Sequence, residues 1–307
     1  MTAKNTEKAI EEGCLNCLLY FGIFKYPLKL HEVHEFNIVQ ASLHEVESVL
    51  ERMVTAGIIF RYNDFYLPED SPDWIEDRLK GNERAQKLLA QSHHYLKIIA
   101  AFPFVKSIAI SGSLSKNYAS ENPDIDYFII TDANRLWIAR TLLHLFKKLT
   151  FITGHQHYFC MNYFVDTEAM ALAQRNQYAA IELATLLPAY NDKLINVMMN
   201  KNLWLMDFLP NHSGELKTTY LVAEKKRWLK TAAEFLFNHL FPDQLNRRLM
   251  KITDRKWRKK WRHQNFSKEE YHQALQTEIH ISKNHPDNYE KLVLDSIAKK
   301  APNADAE

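Results

Sequence analysis

Residues 105–131 read VKSIAISGSLSKNYASENPDIDYFIIT, and the fold turns on this stretch. Val105 to Ser111 is a short apolar run rich in β-forming side chains, the composition of a buried strand. It stops at Gly112-Ser113, and a small polar segment follows. Residues 124–131, DIDYFIIT, then resume as a second strand. Successive side chains of a strand point to opposite faces, so Asp124 and Asp126 share one face while Ile125 and Tyr127 take the other. The pattern predicts a strand–turn–strand unit with two carboxylates at its mouth.

Paired carboxylates on one face repel each other and are costly unless a cation joins them. A hard ion with oxygen ligands suits the pair, Mg²⁺ first and Mn²⁺ as its substitute, because it keeps positions open for phosphate oxygens. Glycine lets backbone amides come close to an anion, and a following helix start attracts negative charge. The Ser113 hydroxyl and the Lys116 ammonium, one turn on, are further phosphate ligands. Taken singly, Gly-Ser and Asp-x-Asp also fit two turns flanking an ordinary strand. The agreement of both strands, the turn and the spacing points instead to a site for a triphosphate and divalent metal.

The segment SGSLSKNYASENPDIDYFIIT resembles the signature of the DNA polymerase β-type nucleotidyltransferase superfamily, a hydrophobic strand ending in Gly-Ser and, after a short spacer, Asp-hydrophobic-Asp-hydrophobic. The resemblance covers residues 105–190 once the next helix and strand are included. It implies that Gly112 and Ser113 bind the phosphates of an NTP donor, that Asp124 and Asp126 hold two Mg²⁺ ions, and that a nucleoside monophosphate passes to an acceptor. RNA 3′ ends, protein hydroxyls and small molecules all serve as acceptors in that superfamily. A third carboxylate, on a later strand, completes the metal site there. Here the strand QHYFCMNYFVD, expected after a helix over 134–149, carries Asn162 at that position. Asp166 lies four residues on and in phase with it, either standing in for it or capping a helix that starts at Thr167. An amide ligates a metal through its oxygen but cannot act as a general base. This departure from the pattern keeps a second function in view, a catalytically silent nucleotide-binding regulatory protein.

Toward the N-terminus, residues 5–22 show helical apolar spacing through Ile10, Cys14, Cys17, Leu18 and Phe21. Tyr26-Pro27 breaks that helix, and a short one follows around His31. Ser42-Leu-His-Glu45 is a capping box for a third helix, which Gly57 is placed to end. IIFRYNDFYL then reads as a hairpin turning at Asn63-Asp64. This order resembles a winged helix-turn-helix domain over residues 8–68, whose usual implication is DNA binding through the third helix. That helix exposes Glu45, Glu47 and Glu51 against a single Arg52, a surface phosphates would repel, so DNA reading is disfavoured and a scaffold or protein-contact role preferred.

Charge is unevenly spread. Residues 1–70 carry six basic and eleven acidic side chains, a net of −5, whereas 224–262 carry thirteen basic and four acidic, a net of +9. Within the latter, KITDRKWRKKWR sets Trp257 and Trp261 four apart on one helical face among cations. The indoles are expected to dock on the core, leaving the surplus charge of 247–262 for RNA, a phosphorylated ligand or anionic lipid. No apolar run approaches the roughly 18–20 residues of a membrane span, and the charged N-terminus lacks a secretory core, so a cytoplasmic protein is expected. Three cysteines cannot build a disulfide framework, and Cys14 and Cys17 are expected to be buried thiols rather than zinc ligands. His31 and His34 have the wrong spacing for a His-Glu-x-x-His zinc site, His155 and His157 are placed on one strand face, and Ser282 to Pro286 reads as a helix end.

The expected architecture is α+β and helix-rich. It comprises a winged-helix-like domain over 1–70, a linker helix over 71–102, a central nucleotidyltransferase α/β domain with a small mixed sheet over 103–192, a C-terminal helical domain over 193–296 and a disordered tail over 297–307.

Overall fold

The computed structural model describes residues 3–217, 222–223, 228–240 and 243–300. The N-terminal helix α1 (Ala3–Gly22) ends where Lys25 adopts a left-handed φ of +52° and Pro27 follows. Strand β1 (Leu28–Lys29) leads into α2 (Leu30–Phe36) and then α3 (Leu43–Thr55). Ser42 caps α3 as its sequence predicts, accepting from the Glu45 amide while Glu45 accepts from the Ser42 amide. Val46, Val49, Leu50 and Met53 form the buried face of α3 against Ile10, Cys14 and Cys17 of α1. The hairpin β2 (Phe60–Tyr62) and β3 (Phe65–Leu67) turns at Asn63 and joins β1 in an antiparallel sheet ordered β1-β3-β2. Both cysteines are buried, and burial pushes the Cys14 thiol up to about 12.

Helix α4 (Asp73–Ala100) connects this unit to a larger sheet. In chain order the remaining elements are β4 (Val105–Ser111), the short α5 (Gly112–Ser115), β5 (Asp126–Thr131), α6 (Leu136–Thr150), β6 (Cys160–Asp166), α7 (Gln177–Ala184), β7 (Leu187–Tyr190) and α8 (Asp192–Asn200). They are followed by α9 (Trp228–Leu240), α10 (Asp243–Lys260), α11 (Lys268–Ala274), β8 (Leu275–Thr277), β9 (Ile281–Asn284) and α12 (Tyr289–Lys300). The sheet is six-stranded and mixed, ordered β7-β4-β5-β6-β9-β8, and α6 makes the crossover between the parallel pair β5 and β6. Ile108, Ile110, Tyr127 and Ile129 face α4 and α6, whereas Ala109, Phe128 and Ile130 face α7 and α8. Asp126, two residues before Phe128, opens on the second of these faces.

The C-terminal part departs from the expected helical domain. Ser282 to Asn284, anticipated as a helix end, lies in β9, which pairs with β6 and carries β8 on its outer edge. Residues 275–284 therefore complete the central sheet instead of forming a separate layer. Residues 297–300 belong to α12, and 301–307 of the anticipated tail lie outside the described residues. His155 and His157 stand in a turn and 3₁₀ segment before β6 and share no strand face. No helix among the described residues is long and apolar enough to cross a membrane.

Candidate functional site

The turn after β4 is fixed by two constraints on Gly112. Its φ is +69°, a left-handed conformation, and a Cβ there would lie 2.6 Å from Asp126 Oδ2. Register explains the proximity: Ser111 and Asp126 are directly paired across β4 and β5, so the turn closes over the start of β5. Ser113 is exposed. The segment that follows is clamped from outside the sheet. Ala119 donates its amide to the Gly81 carbonyl at 3.1 Å, Arg84 Nε donates to the Ala119 carbonyl at 2.9 Å, and Tyr26 donates its hydroxyl to the Lys116 carbonyl at 2.9 Å. The Tyr118 ring lies so close to Gly81 that any Cβ on α4 at that point would strike it. The small N-terminal unit and α4 thus set the position of the loop between Gly112 and the carboxylates.

Asp126 receives Asn162 Nδ2 on Oδ1 at 2.9 Å. The reach comes from an irregularity in the parallel pair: Asp126 is level with Cys160 but Phe128 with Tyr163, so β6 has one residue more than β5 in this interval. Asp124 precedes β5 by two residues and its Oδ1 is 2.7 Å from His157 Nδ1, with both side chains well exposed. Burial, then the charges of Asp124 and Glu182, raise the Asp126 carboxyl from its ordinary 3.8 to about 6, partly opposed by the Asn162 hydrogen bond and the Lys147 charge. Lys147, on α6, donates to Cys160 Sγ at 3.3 Å, and burial pushes that thiol up to about 11. Lys116 Nζ donates to Glu182 Oε1 of α7 at 2.8 Å and to the Gly112 carbonyl at 3.2 Å.

Gly112, Ser113, Lys116, Asp126 and Asn162 are therefore brought to one end of the sheet, with Asp124 beside them. Asp166 is not. It pairs with Thr131, about five residues or 16 Å along β5 from Asp126. Its carboxylate is fully buried and bonded to the Asn134 amide, the Glu168 amide and His280 Nδ1 at 2.9, 2.9 and 2.8 Å. It serves to tie the turns at the far end of β5 and β6, so it cannot complete a site at Asp126. Among the described residues no group of three or more His, Cys, Asp or Glu side chains is arranged to hold a metal. Sequence reading singles out His157, with His155, as a residue able to line the cleft, but not Glu182. Glu182 lies fifty-six residues from Asp126 on a separate helix, and His157 lies in the turn before β6.

On α10, Trp257 is buried and Trp261 half-buried with Ala274 and Leu275, while the cations between them face outward. On α3, Glu51 pairs with Arg61 and Arg52 with Glu7, leaving Glu47 exposed. Comparison with protein-family models, curated proteins and solved structures returned no match.

Proposed function

We propose that this chain is a metal-dependent nucleotidyltransferase that moves a nucleoside monophosphate from an NTP to an acceptor hydroxyl and releases pyrophosphate. The observation that carries the reading is Gly112, left-handed and pressed against the carboxylate of Asp126, with Asp124 beside it. A phosphate-binding turn and a pair of hard oxygen ligands in contact are what a triphosphate bound through a divalent cation requires. The donor set fits Mg²⁺. Asp126 holds one oxygen to Asn162 and Asp124 holds one to His157, so each carboxylate keeps a second oxygen for an ion. Burial first, then the charges of Asp124 and Glu182, raises the Asp126 carboxyl, and a bound dication would offset the cost of keeping it ionised there. With an amide in the third place, the residues furnish one ion well, and a second ion would rely on the nucleotide for most of its ligands.

In this reading Mg²⁺, or Mn²⁺ in its place, supplies charge neutralisation at the phosphates. Backbone amides at Gly112 and the exposed Ser113 hydroxyl bind phosphate oxygens, Lys116 exchanges Glu182 for phosphate, and Asn162 orients Asp126. Residues 103–192 form the nucleotidyltransferase core and 1–70 a winged-helix-like unit that braces the loop through Tyr26. The acceptor is an RNA end, a protein or a small molecule. A second reading, nucleotide binding without turnover, draws support from Asn162, since no carboxylate on β6 reaches Asp126 to act as a base.

Incubation with Mg²⁺ and α-labelled NTPs separates the two. Label transferred by the wild type and abolished in Asp126→Asn supports the transferase. NTP binding without transfer to any acceptor supports the sensor, and absence of both rejects the site.

A further inference from the structure

Helices α6, α9 and α10 pack on one another through Ile138, Leu142, Phe237, Leu245 and Leu249, so their outer surfaces form one continuous layer. Arg135 at the start of α6 bonds Asn238 near the end of α9 at 2.7 Å, and Leu229 at the start of α9 shares a groove with Phe102, whose ring meets Phe146 of α6. The two helices are therefore antiparallel neighbours, and the end of α6 lies beside the start of α9. There the outward side chains are apolar. Ile152 is 84 % and Trp228 76 % exposed, and Leu149, Phe151, Phe235 and Leu236 are each more than half exposed. Trp228, Phe235, Leu236 and His239 follow helical spacing on the outer face of α9, so this helix has an apolar stripe on each side, and among the described residues only one is covered.

The charge around this patch has one sign. Residues 136–152 contain no Asp or Glu. In 228–262, the acids whose side chains the structure describes turn inward: Glu234 accepts from the Phe104 amide at 2.8 Å, and Asp254 accepts from Thr277 and Arg258. Arg247, Arg248, Lys251, Arg255 and Lys256 of α10 are exposed, as is Lys148 of α6, and among the described residues Arg258 is the only α10 cation in an ion pair. Exposed apolar patches of this size on a soluble surface mark a contact site. A tryptophan and aliphatic stripe flanked by cations, with no outward acid among the described side chains, matches an interface that is apolar beneath and anionic above.

We infer that this face docks on the surface of an anionic lipid bilayer, with Ile152, Trp228 and Leu236 entering the acyl boundary and the α10 cations lying over the headgroups. A polynucleotide would use the cations but leave the aliphatic residues in water, which is why the bilayer is the better fit. The last turn of α6 also carries Lys147, whose charge acts on Asp126, but the inference uses none of the residues of the proposed activity and stands apart from it.

The test is co-sedimentation of the full chain with vesicles of equimolar phosphatidylcholine and phosphatidylserine, against vesicles of phosphatidylcholine alone and against single-stranded RNA. The wild type should sediment with the anionic vesicles, weakly with the neutral ones, and less as salt rises. Trp228→Glu and Ile152→Glu, both at exposed positions, should lose most of the bound fraction with an unchanged circular dichroism spectrum. Lys251→Ala and Arg255→Ala should each weaken binding about fivefold. Three results would overturn the inference: no vesicle binding by the folded wild type, the apolar variants binding as well as the wild type, or RNA captured while vesicles are not. A wild-type dimer that Ile152→Glu makes monomeric, with no vesicle binding in either, would equally assign the patch to self-association and reject the bilayer.

Discussion

Asp126→Asn should make the protein more stable near neutral pH while removing its proposed chemistry. The folded carboxyl, raised from 3.8 to about 6, holds its proton more tightly than the unfolded one does. Stability therefore falls as pH rises through that window, and above it the cost of keeping the anion buried beside Asp124 and Glu182 is complete. A rise of roughly two units corresponds to about 3 kcal/mol, an upper value reached only where the variant's amide oxygen still accepts from Asn162. Urea melts of wild type and variant between pH 3 and pH 8 check this, with the curves closest near pH 3, below the unfolded carboxyl's 3.8, and diverging in favour of the variant as pH rises. Adding Mg²⁺ and NTP at pH 7.5 should reverse the order, since ligand at a thousandfold over Kd stabilises only the wild type, by about 4.1 kcal/mol. Parallel pH profiles, or a variant less stable throughout, would mean that Asp126 is not the strained acid described here.

Gly112→Ala should lose about 1–3 kcal/mol from the left-handed backbone alone, and its β-carbon would displace the Asp126 carboxylate, so nucleotide binding measured by calorimetry should fall below detection. Asn162→Asp replaces a hydrogen-bond donor with a third carboxylate, costing about 2 kcal/mol or more in thermal melts without metal, yet it should tighten Mg²⁺ binding. The Lys283–Glu290 pair is almost wholly buried at 2.9 Å, so Glu290→Gln alone should destabilise by about 3–5 kcal/mol, and adding Lys283→Met should restore much of that in the same denaturation assay.

What the sequence made legible was local. The Ser42 to Glu45 capping box, the Asn63 turn, the apolar face of α3 and the Gly-Ser turn between two strands each follow from residues within a few positions of one another. The inward docking of Trp257 was readable for the same reason, since its helical spacing carries the information. What escaped depends on distant pairing. Residues 281–284 look ordinary until β6 offers an edge, and Lys283, almost fully buried, reads as a surface cation until Glu290 and Gln174 are seen around it. Asp166 illustrates the limit most plainly. Strand phase ties it to Asn162, but phase says nothing of distance along the strand, and its partners Asn134 and His280 come from opposite sides in sequence. Glu182 reaches the site only because α7 packs behind the sheet, and no spacing rule announces that.

Electron paramagnetic resonance of Mn²⁺ titrated into the protein with and without NTP reads the metal pocket itself. One tightly held Mn²⁺ per chain that requires NTP, and that disappears in Asp126→Asn while Asp166→Asn retains it wherever the variant folds, is the expected pattern. Mn²⁺ held equally by the Asp126→Asn variant, or none held by the wild type with NTP present, would contradict the assignment of Asp124 and Asp126 as the ligands.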